Sequence, residues 1–332
     1  MVSLSNHAGV SAARGEQGGG PRFLRGGRRP AMMLLRAPAA LDLQAMRLTL
    51  GISPCPNDTF IFDALVNGAI DAGELQLEVV HEDVQTLNEW AMAGRLDVSK
   101  VSYGVLPVIA GGYALLRSGG ALGRGVGPLL VARPGLDAFR PETMRVAVPG
   151  RNTTAHLLFS LAYPQALHKE FRVFSDIEDA VLRGEVDAGV IIHEGRFTYA
   201  AKGLVKLLDL GEHWERRTGA PIPLGGIVAR RTLERPVLRE LERLVRASTE
   251  HALARRPFVS EYVRRHAQEL DEAVMRQHID LYVNDFSVDV GEPGRKAVET
   301  LLDVYRRVNP GSPPVRGDVF LQDAVGRDQR GG

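Results

Sequence analysis

The sequence predicts an α/β protein of two lobes with a ligand cleft between them. Strand-period and helix-period segments alternate along most of the chain, the pattern of largely parallel sheets flanked by helices. Its 332 residues exceed what one hydrophobic core ordinarily serves. Two segment types also recur about 100 residues apart. Gly94-Arg95-Leu96-Asp97-Val98 and Gly184-Glu185-Val186-Asp187-Ala188 both read as helix stop, apolar residue, Asp, strand. Leu130-Val131-Ala132-Arg133 is echoed by Ile227-Val228-Ala229-Arg230. A matched strand pair of this kind suits a chain that leaves one lobe and returns to it. Residues 47–133 with 226–310 are therefore expected to form lobe 1, and residues 134–225 lobe 2.

The elements follow in order. Residues 47–52 alternate as a strand. Residues 57–67 read as a helix, with Asp58 in its first turn where a carboxylate suits the dipole. Strand 75–80 precedes helix 84–93, which Gly94 stops. Strands follow at 98–101, 113–117, 129–133 and 145–148. Residues 152–162 and 177–183 are helical, and Gly184 ends the second. Strands are expected at 188–192, 204–209 and 226–230, then helices at 236–255, 257–266, 271–282 and 294–308. Residues 311–332 read as a C-terminal tail.

Charge is uneven. Residues 1–46 hold six Arg, one Glu and one Asp, a charge of +4, so the remainder carries −3. A strongly basic nucleic-acid binder is excluded for the body. The Gly- and Arg-rich residues 1–46 read as a disordered extension outside the functional unit. Arg36 breaks the apolar run 31–35, which is too short for a signal peptide core. No run is long enough to span a bilayer, so stable membrane insertion is not expected, and the location predicted is cytoplasmic. Cys55 is the single cysteine, which excludes a disulfide framework and a cysteine-rich metal site.

Several residues can carry chemistry. His193 ends the apolar strand 188–192, at the carboxyl end where open α/β sheets place ligands. Its imidazole titrates near neutrality and suits a general base, with Glu194 able to orient it. His193-Glu194 lacks the second His of a zinc protease motif. Val148-Pro149-Gly150-Arg151-Asn152-Thr153-Thr154 runs from a strand into a helix start, a seat for a small carboxylate. Lys100 and Ser102 occupy the matching strand end of the other lobe. The glycine-rich loop 119–127 lacks the Lys-Ser/Thr pair of a P-loop, although its Arg124 remains a candidate partner for a substrate acid. Cys55, between two prolines, is expected to pack rather than attack.

Four motifs then converge on one family. Ser53-Pro54-Cys55-Pro56-Asn57-Asp58-Thr59-Phe60, the loop from Arg117 to Pro128, Pro149-Gly150-Arg151-Asn152-Thr153-Thr154-Ala155 and Ile191-Ile192-His193-Glu194-Gly195-Arg196-Phe197-Thr198-Tyr199 resemble the 1,4-dihydroxy-6-naphthoate synthases of the futalosine route to menaquinone. The resemblance spans about residues 47–308. It implies a periplasmic-binding-protein type II fold and a carbon–carbon lyase without metal or organic cofactor. The implied substrate is a small molecule, cyclic dehypoxanthinyl futalosine. His193 matches the family's proton acceptor, and Lys100, Val101, Ser102, Thr153 and Thr154 match its substrate-contacting segments. Two readings compete, a chorismate dehydratase-like sister enzyme and a non-catalytic solute-binding protein. Oligomeric state is not readable from the sequence.

Overall fold

A computed structural model describes residues 46–322 except 137, 268–270, 313 and 316. The expected disorder of residues 1–46 falls almost wholly outside the described residues.

The chain opens with β1 (Met46–Ile52), α1 (Pro56–Val66), β2 (Leu75–His81), α2 (Val84–Met92) and β3 (Val98–Ser102). A 3₁₀ turn (Tyr103–Val105), α3 (Leu106–Ile109), β4 (Tyr113–Leu115) and β5 (Ala121–Gly123) follow. Next come β6 (Leu129–Ala132), β7 (Val146–Val148), α4 (Thr154–Ala162), β8 (Lys169–Phe171), a 3₁₀ turn (Phe174–Asp176) and α5 (Ile177–Leu182). Then follow β9 (Ala188–Ile191), α6 (Gly195–Thr198), β10 (Val205–Asp209) and α7 (Leu210–Thr218). The chain continues with β11 (Ile222–Arg230), α8 (Arg235–Ala254), α9 (Glu261–His266), α10 (Glu272–Tyr282), α11 (Asp285–Val288) and α12 (Gly291–Val308).

Two sheets result. The first has the order β2-β1-β3-β11-β4, with β5 also on β11, and the second β10-β6-β9-β7-β8. Read from the other edge, the second repeats the first strand for strand. β1 and β7 each lie between two parallel neighbours. β11 and β6 run antiparallel on the far sides of β3 and β9. Only the parallel half of each sheet meets the expectation of largely parallel pairing.

This repeat explains both sequence echoes. Gly94 and Gly184 end their helices with positive φ, at 63° and 76°, which glycine adopts without steric penalty. Asp97 then accepts from the backbone N–H of Thr49 beside it (2.9 Å), and Asp187 from that of Arg145 (2.7 Å). Each Asp fixes the start of its strand against the neighbouring parallel one. The second echo, β6 and β11, occupies equivalent antiparallel positions in different sheets.

Two expected boundaries are thereby corrected. Residues 129–132 belong to the second sheet, because β6 pairs with β9 and β10 rather than with lobe 1. The returning strand starts at Ile222, ahead of residue 226. The last segment is also more than a tail. Phe320 is fully buried and bridges to Leu115, with Leu115 N–H donating to Val319 O and Leu321 N–H to Leu115 O.

The core under the first sheet joins Leu50, Ile52, Phe62, Ile227, Leu241 and Leu244. α8 reaches it with Leu238, Leu241, Leu244 and Val245, spaced to one helical face. Burying each such Leu contributes about 1.5–3 kcal/mol. Val131, Ala147, Ile177, Val181 and Ile191 form a smaller core behind the second sheet. Two rigid sheets therefore hold the loops that leave their strands.

Candidate active site

Four strands deliver residues to one cleft of about 650 Å³. β1 runs into Ser53, Asn57 and Asp58, and β3 ends at Ser102. β7 leads to Thr153 and Thr154, and β9 to Ile192 and His193; all of these line the cleft. The strands' carboxyl ends thus supply the site from both sheets.

His193 is the only non-glycine residue with positive φ (56°) among those described. The left-handed backbone costs energy for a residue with a Cβ and is over-represented at functional sites. Here it turns the imidazole off the end of β9. The ring lies 4.8 Å from the Phe174 ring, and its Nε2 is 3.9 Å from Cys55 Sγ. Burial pulls its pKa down to about 4. Asp58 and Asp83 oppose that pull, and Lys100 adds to it. The ring is thus neutral near pH 7 and able to accept a proton.

Lys100 is buried and ion-paired to buried Asp58. Asp58 also accepts from Ser53 Oγ (2.7 Å) and Asn57 Nδ2 (2.8 Å). Asp58, read from the sequence as a helix-dipole carboxylate, therefore closes the Ser53–Asp58 turn and neutralises Lys100. Gly225 makes room for this pair, since a Cβ there would fall 2.8 Å from Lys100 Cε.

The Thr153–Thr154 hydroxyls are already engaged. Thr153 Oγ1 donates to Gly150 O (2.9 Å) and accepts from His156 N–H, capping α4. Thr154 Oγ1 donates to Leu224 O (2.8 Å) and accepts from Gly104 N–H (3.0 Å). What α4 turns toward the cleft is its N-terminus, whose first-turn N–H groups have no intrahelical acceptor. Gly104 allows this approach: a Cβ would lie 2.7 Å from Thr153 C and 2.8 Å from Thr154 N. Buried Asn88 ties the two sheets' loops together. Its Nδ2 donates to Asn152 O (3.1 Å) and to Ser102 Oγ (3.2 Å), and its Oδ1 accepts from Ser102 N–H (2.8 Å).

Val101 is fully buried and pairs with Gly226, so it supports the cleft without lining it. Arg124 turns away, donating to Gly219 O (2.8 Å) and facing Glu215 at 3.5 Å. Cys55 is buried beside His193, and burial pushes its thiol pKa well up. Donor atoms of Cys55, His193 and Glu194 come within 4.8 Å of one another.

Sequence reasoning missed His278 and Asn57. His278 is fully buried; its Nε2 lies 2.8 Å from Asn57 Oδ1 and its ring stacks over His193 at 5.9 Å. The signal was present: His278 shares the apolar face of α10 with Met275, Ile279 and Tyr282. A polar residue on such a face calls for a partner.

A family profile described as menaquinone biosynthesis matches residues 48–307. The chain is 53% identical over 255 residues to a 1,4-dihydroxy-6-naphthoate synthase of Thermus thermophilus, covering 77% of this chain and 92% of that one. It is 49% identical over 288 residues to the enzyme of that name from Streptomyces coelicolor, covering 84% and 99%. Protein AF1704 from Archaeoglobus fulgidus superimposes with a TM-score of 0.74 at 33% identity, over 79% of this chain and 97% of that one. The alkanesulfonate-binding protein SsuA from Xanthomonas axonopodis pv. citri, bound to MOPS, gives 0.60 at 17% identity over 81% and 96%. That last likeness is one of fold, the periplasmic-binding-protein architecture.

Proposed function

The chain belongs to the menaquinone-biosynthesis family, and from that premise we propose that it acts as a 1,4-dihydroxy-6-naphthoate synthase. In this reading the substrate is cyclic dehypoxanthinyl futalosine, and a carbon–carbon lyase reaction releases the naphthoate and a sugar-derived fragment. The observation that carries it is the imidazole of His193, set by a left-handed backbone at the carboxyl end of β9 and lining the cleft with Thr153 and Thr154.

The substrate's aryl carboxylate rests against the N-terminus of α4, at Thr153 and Thr154, where helix N–H groups favour an anion. Ser102 offers its hydroxyl from the opposite wall, and Lys100 and Val101 hold that wall in place. His193 takes a proton from the substrate and so starts fragmentation of the spiro-linked ring. Restoring an aromatic ring supplies the driving force, so one base and close positioning suffice. Every group in this account belongs to the chain or the substrate, and the fragmentation is redox-neutral. The same role places the enzyme in the cytoplasm with its substrate. Among the described residues, no helix is long and apolar enough to cross a membrane.

Purified protein incubated with cyclic dehypoxanthinyl futalosine should release the naphthoate, followed by absorbance and mass. Turnover of chorismate instead would identify a chorismate dehydratase. Binding without turnover of either substrate would identify a solute-binding protein.

A further inference from the structure

Behind His193 a line of side chains runs from the ion pair to the neighbour of the base. Asn57 Nδ2 donates to Asp58 Oδ1 (2.8 Å), which fixes the orientation of its amide. Its Oδ1 therefore faces His278, and His278 Nε2 must carry the proton that bonds to it (2.8 Å). In a neutral ring this leaves a bare lone pair on Nδ1. That Nδ1 is buried with no hydrogen-bond partner and lies 3.7 Å from Glu194 Oε1. A lone pair facing an ionised carboxylate in a buried place is unfavourable, and one proton between them removes the conflict.

We propose that His278 is a positioning residue coupled to Glu194, the two together carrying one proton besides that on His278 Nε2, so that the pair presents no net charge to His193. The inference rests on the reading of His193 as the base. Glu194 directly follows His193, and its carboxylate lies within 4.8 Å of a His193 ring nitrogen. Were it fully negative, it would draw a proton onto His193 and occupy the lone pair the reaction needs. The other groups facing the pair are Cys55 and Asp58 from the start of α1, Lys100 from β3, Tyr282 from α10, and Glu178 of α5 with Lys202, an ion pair (2.7 Å) that lines the outer side of Glu194. Burial, with His193 and Lys100 adding to it, sets His278 well below an ordinary histidine. A neutral ring able to share its neighbour's proton is consistent with that environment.

The test is an NMR titration of the His193 ring nitrogens alongside the pH profile of kcat/KM. In His278→Gln the amide can donate to Glu194, which becomes a full anion. The pKa of His193 and the acid limb should then rise by about one unit or more. Glu194→Gln, neutral like the pair it replaces, should leave both where they were, and in that background His278→Gln should cause no shift. A wild-type pKa for His193 in His278→Gln would overturn the proposal. So would a clear fall in Glu194→Gln, because it would show a full negative charge in the parent. The titration needs no turnover, so it reads the pair even if His193 proves not to be the base. Loss of that role would appear separately, as undiminished turnover by His193→Gln.

Discussion

The imidazoles of His193 and His278 lie in nearly parallel planes, 12° apart, with their centroids 5.9 Å from one another. One is at the cleft and the other is sealed from solvent. Burial lowers the pKa of both, so the site keeps two uncharged imidazoles at neutral pH.

Removing the base should stop the chemistry and spare recognition. His193→Ala is expected to lower kcat by about 10²–10⁴-fold, the usual contribution of a general base. Calorimetric titration with the naphthoate product should give an affinity close to that of the parent. Near-normal turnover would end the assignment.

Acid should weaken the fold before it reaches the carboxylates. His193 and His156 are both lowered to about 4 by burial, and burial also sets His278 well below its ordinary value. Unfolded histidines titrate near 6.5. Between pH 6.5 and 4 the unfolded chain therefore binds protons that the folded one does not, and stability falls as pH falls. Thermal melts from pH 7.5 to 5 should show Tm dropping below about 6.5, with a shallower slope in His156→Gln.

Splitting the Lys100–Asp58 pair should be costly. Asp58→Asn leaves Lys100 buried without its counter-charge, and removing one partner of a buried pair typically costs about 3–5 kcal/mol. Lys100→Met in the same chain should recover part of that loss in chemical denaturation. An Asp58→Asn protein of unchanged stability would show that the pair is not closed in solution.

Gly104→Ala should act on catalysis through geometry. The new methyl group would press on the backbone of Thr153 and Thr154 and push the α4 start out of the cleft. KM for the substrate should rise while the far-UV spectrum stays native. An unchanged KM would mean that α4 does not hold the substrate.

Cys55→Ala should keep most of the activity, within about threefold. Its thiol is held protonated by burial, so it is a weak nucleophile. Loss of turnover matching that of His193→Ala would instead make Cys55 part of the chemistry.

The regular strands and long helices were legible because their periodicity is local. β1, β3, β9 and α8 appear within a residue or two of the expected ends. The short pieces were not: β5, β8 and α6 carry too few residues for a period to show. β6 was misplaced because its sequence resembles β11, and that likeness reflects equivalent positions in two sheets. Alternation alone does not say which sheet a strand joins. At the site, His193 was visible as a polar residue ending an apolar strand. The chain from Asp58 through Asn57 to His278 was invisible, since 221 residues separate Asn57 from His278. Arg196, in the same motif as His193, turns away to pair with Asp209 at 2.8 Å, which no spacing announces.

The closed ion pair between β3 and α1 bears on how the substrate arrives. With Lys100 matched by Asp58 at the cleft wall, an approaching carboxylate meets oriented peptide dipoles rather than an unbalanced cation. Dipole fields fade faster with distance than those of free charges, and dissolved ions have little of them to screen. Capture of the anion is therefore set by contact inside the cleft, and its rate should hardly change between dilute buffer and the ionic strength of a concentrated cell interior.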